Sequence, residues 1–329
     1  MFTSPLSTIT IPGIGTPLTR AVLGTMSFGD TADLAATTAV FEAAMAAGVT
    51  GVDCANGYAS GTTEGLIAPL VTTYRDRIVL ATKAGMPHPD AGANSPLSAA
   101  GLRASVEGSL RRLQVDSIDL FYLHQPDRGA TLAETLTTIA ELQEEQKIAA
   151  LGISNYAAWQ AVDIITAAQA AGATPPIIGQ NVYNLLARRI EDEWVECAAT
   201  HKIHTMCYNP LAGGLLATRP DPGGSTPTRF STSSLAAMYQ DRYWSPELLA
   251  AVNNLADIAD EAGIGLPELG MRWVAGQPGT DALLLGGDQT AHLLSNLDSL
   301  GRGPLPDDVN TACTTATAPL KGAMPAYNR

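Results

Sequence analysis

Four residues in the first half of the chain combine proton-moving side chains with positions where they could meet. Asp53 closes the apolar run GVD, Lys83 closes IVLATK and His124 closes DLFYLH, while Tyr58 follows Asp53 within GVDCANGYASG. Each alone has an ordinary structural explanation: a turn cap, a rim aromatic, a salt-bridge partner, a satisfied core histidine. Together they point to chemistry, because a lysine ending an apolar strand is costly unless paired. A carboxylate closing the neighbouring strand is its natural partner. An ammonium beside a phenol is expected to lower the phenol pKa from about 10, which would let Tyr58 act as general acid or base. His124 would then hydrogen-bond an oxygen on which charge develops. Such a set suits carbonyl reduction, where hydride reaches carbon while a proton reaches oxygen.

The elements that must position these residues are legible as alternation. Short apolar runs bounded by Gly or polar residues lie at 20–24, 51–53, 78–83, 118–124, 148–154, 177–180, 204–209 and 282–286. Between them run helical patterns such as 34–47, 98–113, 131–146 and 156–171, whose apolar residues recur at three and four. Strand-helix alternation from end to end predicts an α/β fold, a (β/α)8 TIM barrel formed as one domain over residues 1–329. A Pro/Gly/Ser/Thr-rich loop at 219–234 follows the seventh strand, and a C-terminal extension runs over 306–329. A doubly wound dinucleotide fold would want GxGxxG after the first strand, where LGTMSFG stands instead.

The 329 residues carry 19 Lys and Arg against 32 Asp and Glu, a net charge of −13. With no basic run to offset it, docking on nucleic acid or an anionic membrane is disfavoured. The 46% hydrophobic content is Ala-weighted and interrupted before any spanning segment develops. The start, MFTSPLSTIT, has neither a basic nor an apolar leader region, so no signal peptide and a cytoplasmic location are expected. Cys54, Cys197, Cys207 and Cys313 are too scattered for a disulfide framework, and no spacing suggests zinc. His201 and His204 read as a loop-to-strand junction, so no metal is expected.

Longer segments carry a resemblance. GVDCANGYASGTTE (51–64), IVLATKAG (78–85), SLRRLQVDSIDLFYLHQPD (109–127), KIAALGISNYAAW (147–159), GQNVYNLLAR (179–188) and YNPLAGGLLATR (208–219) occur in that order, with LLLGGDQTAHLLSNL (283–297) near the end. The chain resembles the aldo-keto reductases over nearly its whole length. YNPLAGG with RYW (242–244) looks closest to the branch of aflatoxin-aldehyde and succinic-semialdehyde reductases. The resemblance implies an NAD(P)H-dependent reductase of a small-molecule aldehyde or ketone, with NADPH the expected cofactor and NADH the alternative. Two other readings come with it: a cofactor-sensing binding protein similar to the potassium-channel β subunits, and a biosynthetic ketoreductase dedicated to one large natural product. Oligomeric relatives make a homo-oligomer an expectation to test.

Residue by residue, the resemblance places Asp53, Tyr58, Lys83 and His124 on the family's catalytic tetrad. It places Ser154, Asn155 and Gln180 on the nicotinamide carboxamide, and Tyr208 on the nicotinamide ring. Asn209, Leu211, Gly213 and Leu215 match the pyrophosphate loop, and Arg219 a basic position at the cofactor phosphates. Gly286, Asp288, Gln289, His292 and Asn296 match the adenosine side. Asp288 departs from many relatives: a carboxylate would repel a 2′-phosphate and accept from a ribose diol, unless it points outward as the N-cap of a helix over 290–297. Met26 and Phe28, with Trp159, Phe230, Tyr239, Tyr243 and Trp244, are candidates for an apolar substrate pocket. Arg229 and Arg329 resemble arginines that meet a substrate carboxylate.

Overall fold

The computed structural model describes residues 4–219 and 228–322. Among the described residues ten strands form: β1 (Thr8–Ile9), β2 (Leu18–Thr19), β3 (Ala21–Gly24), β4 (Gly51–Asp53), β5 (Val79–Ala84), β6 (Ile118–Leu123), β7 (Ile148–Ser154), β8 (Ile178–Val182), β9 (His204–Tyr208) and β10 (Ala282–Gly286). β3 to β10 close an eight-stranded parallel barrel in chain order, with β10 pairing β3. This is the (β/α)8 architecture expected from the alternation, and its strands fall within a residue or two of the apolar runs. The antiparallel pair β1–β2 is an addition that those runs did not include.

Three of the outer helices begin where a short polar side chain replaces a missing backbone partner. Asp33 accepts from the Ala36 N–H ahead of Leu34–Ala46, Ser98 from Gly101 ahead of Ala99–Leu113, and Thr131 from Glu134 ahead of Leu132–Glu144. After β9 come short helices at Thr228–Ser231 and Ala236–Tyr243, so part of the expected irregular loop is helical. The extension contains the helix Asp307–Thr317.

Period-two alternation sorts each barrel strand into two faces. On the outer face, Leu80, Phe121, Leu151 and Leu283 pack in the clusters beneath the helices. On the inner face, Val22, Val79, Ala81, Leu120, Tyr122, Ala150, Ile178, Met206 and Leu284 share one cluster with Ile9, Ile11 and Leu18 of the hairpin. The hairpin therefore seals the N-terminal end of the barrel. Higher up, the Tyr122 ring lies where a Cβ on Gly152 would come within 2.5 Å, so only glycine fits opposite it. The same alternation turns Asp53, Lys83 and Gln180 inward at the opposite, C-terminal end.

Candidate active site

Asp53 and Lys83 are the last inward positions of their strands, and both are buried at 1% and 0% exposure. Neither charge could sit there alone, since desolvation of an unpaired ion costs several kcal/mol. Lys83 Nζ donates to Asp53 Oδ1, to the Cys54 carbonyl at 2.9 Å and to the Tyr58 hydroxyl at 2.9 Å. Those three acceptors use all three ammonium hydrogens. Gln180 Nε2 donates to the other Asp53 oxygen at 2.8 Å. Burial pulls the Lys83 pKa down, but Asp53 and Tyr58 outweigh it and hold the ammonium charged.

Tyr58 opens a tight turn, Tyr58–Gly61, in which Ala59 and Ser60 adopt left-handed backbone at φ 45° and 56°. Such conformations cost about 1–3 kcal/mol each and are kept where surrounding contacts enforce them. The expected lowering of the Tyr58 pKa is corrected here: burial pushes the phenol up, and the opposing pull of Lys83 does not overcome it. Tyr58 is thus a phenol whose oxygen accepts from Lys83, leaving its own hydrogen uncommitted to that partner. His124 lies edge-on to it, ring centroids 6.0 Å apart at 79°. Burial, with the Lys83 charge, lowers the His124 pKa to about 3, so the imidazole is neutral. Its enclosed Nδ1 has no hydrogen-bond partner among the described residues.

Beside this set, Ser154, Asn155, Gln180 and Tyr208 join in one network. Ser154 Oγ donates to the Gln180 carbonyl at 2.9 Å. Asn155, at φ 62°, donates through Nδ2 to the His124 carbonyl at 3.0 Å and to Ser154 Oγ at 3.1 Å. Tyr208 OH donates to Asn155 Oδ1 at 2.7 Å. Asn209 starts the next turn: its Oδ1 accepts from the Gly213 N–H at 2.6 Å and its Nδ2 donates to Tyr243 OH at 3.0 Å. Within that turn the amides of Gly214 and Leu216 donate to Leu211 and that of Leu215 to Ala212, so these N–H groups face inward. Leu215 is buried and Leu211 half-buried.

Other sequence-derived candidates lie elsewhere. Arg219 is exposed and held by Asp257 at 2.8 Å and Asp260 at 2.9 Å. Gly286 ends β10, and Asp288 has no hydrogen bond or ion pair among the described residues. It is not the helix cap: Gln289 occupies that position for Thr290–Gly301 and makes no side-chain bond there, because its backbone, not that of Asp288, adjoins the first turn. His292 is exposed and Asn296 half-buried on that helix. Met26 is half-buried against the core, whereas Phe28 is fully buried within it. Phe230, Tyr239 and Tyr243 also pack internally, as a ring cluster, and Trp159 is exposed on an outer helix. Trp244 packs against Phe230 in a tilted pair, centroids 5.3 Å apart at 51°. Arg229 lies over Tyr239 and 3.5 Å from Asp30. Arg329 lies outside the described residues.

Sequence reading missed two groups of partners. Asp30 accepts from Ser233 Oγ at 2.5 Å and the Ser234 N–H at 2.9 Å, tying the loop after β3 to the insertion after β9. The Cys54 carbonyl completes the Lys83 shell, a backbone role that residue type does not advertise.

Comparison with known proteins shows the family. Residues 20–318 match the aldo/keto reductase family. Aflatoxin B1 aldehyde reductase member 2 of Homo sapiens is 34% identical over 95% of this chain and 90% of its own length. Aldo-keto reductase family 7 member A3 of Homo sapiens is 33% identical over 94% of this chain and 96% of its own. Aldo-keto reductase YhdN of Bacillus subtilis is 30% identical over 86% and 85%. The chain belongs to the aldo/keto reductase family and is an oxidoreductase.

Proposed function

We propose that this protein reduces an aldehyde or ketone to the alcohol using NADPH, with Tyr58 as the proton donor. The observation that carries the reading is the triple engagement of Lys83, which presents a phenol whose hydrogen is free of the ammonium and whose conjugate base would face that ammonium. A carbonyl oxygen entering beside Tyr58 would also meet the neutral His124 ring, whose one N–H can donate to it. Charge developing on that oxygen is then stabilised by His124 while Tyr58 transfers its proton to it. The phenolate left behind is stabilised by Lys83, and Asp53 with Gln180 keeps Lys83 oriented.

The residues fit a nicotinamide dinucleotide in two places. Next to the tetrad, Ser154, Asn155 and Gln180 would exchange bonds of their own network for those of a carboxamide, and Tyr208 would supply a ring face. At the far side, the helix Thr290–Gly301 starts without a side-chain cap, so its positive end is available to a phosphate. When bound, a reduced nicotinamide supplies the hydride. The inward-facing amides of the 209–216 turn leave its residues to shape the groove through their surfaces.

The test is multiple-turnover loss of reduced-nicotinamide absorbance with a panel of aldehydes and ketones, run on the wild type and on Tyr58→Phe. Tyr58→Phe should lower single-turnover hydride transfer about 10²–10⁴-fold, the usual loss with a general acid, while leaving NADPH affinity unchanged. Turnover within about tenfold of wild type would remove Tyr58 from the donor role. A protein that only senses cofactor would bind NADPH and fail to turn over.

A further inference from the structure

A second network lies behind the Tyr58 turn, outside the barrel wall. Glu64 follows that turn directly, in the first turn of the helix Thr63–Tyr74, and is fully buried. Its Oε1 accepts from Thr82 Oγ1 at 2.6 Å, and its Oε2 from Arg112 Nε at 2.8 Å. Thr82 precedes Lys83 on β5 and points to the other face. Arg112, from the helix Ala99–Leu113, also reaches Asp90 at 2.8 Å, and His88 Nδ1 lies 3.1 Å from Asp90. The path returns to its origin at Gly61: a Cβ there would lie 2.8 Å from His88 Nε2, and Gly61 has φ 94°. The network is thus bonded to the strand that carries Lys83 and packs against the end of the turn that carries Tyr58.

We infer that Glu64, held between Thr82 and Arg112, is a positioning residue that fixes the Tyr58 hydroxyl against Lys83. The inference rests on the proton-donor reading of Tyr58. Its physical basis is the left-handed run Ala59–Ser60–Gly61, which relaxes toward ordinary backbone unless both of its ends are held. The side chain at position 82 reports on the other face of the same strand, so loss of its hydroxyl reaches Lys83 without touching the site.

The full-length protein would be assayed with NADPH and para-nitrobenzaldehyde as Thr82→Val, Thr82→Ser, Glu64→Gln, Arg112→Lys and Tyr58→Phe, each checked for folding by circular dichroism. Misplacing a reacting group by about an ångström costs up to about 100-fold, so Thr82→Val and Glu64→Gln should lower kcat by about 10–100-fold. KM should stay within about twofold, because ground-state binding is not what changes. Thr82→Ser, which keeps the hydroxyl, should restore wild-type kcat. If Thr82→Val does not fold, Arg112→Lys carries the test, since an ammonium cannot hold Glu64 and Asp90 through a planar fork. Folded Thr82→Val or Glu64→Gln with wild-type kcat, or a loss confined to KM, overturns the inference while Tyr58→Phe remains inactive. Turnover surviving in Tyr58→Phe overturns the donor reading, and the inference with it.

Discussion

Lys83 and His124 show how one buried neighbourhood sets opposite protonation states. Lys83 stays charged because it has three acceptors, whereas His124, with no carboxylate partner among the described residues and that ammonium nearby, stays neutral. Lys83→Met would strand the Asp53 carboxylate and should destabilise the protein by about 3–5 kcal/mol in denaturant unfolding. The double variant Lys83→Met with Asp53→Asn should recover part of that loss, since no buried charge then remains. His124 has a stability consequence of definite sign. Its native pKa of about 3 lies below the ordinary 6.5, so the unfolded chain binds a proton first as pH falls. Stability from this ring is complete above about 6.5 and is lost as pH drops toward about 3. Thermal unfolding across that window should therefore show a shallower fall in Tm for His124→Gln than for wild type. The types and spacing of these residues were legible in the sequence. The upward shift at Tyr58 was not, because burial is a property of surroundings that the chain assembles from distant segments.

Strands and helices were readable because their patterns are local: apolar runs ended at Gly24, Asp53 and Ser154, and polar caps preceded the helices after Asp33, Ser98 and Thr131. The element ends that bear on the cofactor were less readable. Asp288 lies one residue too early to cap Thr290–Gly301, and it has no hydrogen bond or ion pair among the described residues. Its carboxylate should therefore oppose a phosphate placed there, even though the helix end itself favours one. Asp288→Ser should tighten NADPH binding about fivefold for each kcal/mol of repulsion removed and leave NADH binding unchanged. Fluorescence titration of both cofactors at low and high salt checks this, with the difference shrinking at high salt. The resemblance put Arg219 at the cofactor phosphates, and its present partners, Asp257 and Asp260 on a helix remote in the chain, were not legible from the sequence.

At the scale of the whole molecule, stability and chemistry occupy opposite ends of the barrel. The hairpin residues Ile9, Ile11 and Leu18 join the inner apolar cluster at one end, and Asp53, Lys83 and Gln180 meet at the other. Ile11→Ala should cost about 2–5 kcal/mol of unfolding free energy, the usual loss for a buried Ile, with kcat for carbonyl reduction unchanged. Unfolding curves and steady-state rates on the same preparation would show that separation. The sequence by itself pointed to the barrel, because alternating apolar runs and amphipathic helices are short-range patterns and LGTMSFG after the first strand spoke against the doubly wound alternative. It also singled out Asp53, Lys83 and His124 at the strand ends, Tyr58 in the turn after one of them, and the family to which the chain belongs. Tertiary structure alone decided that the β1–β2 pair plugs the barrel. It also placed Glu64 between Thr82 and Arg112 and brought Asp30 to Ser233. Each of these depends on contacts between residues far apart in the chain, and their partners are chosen only when the barrel closes.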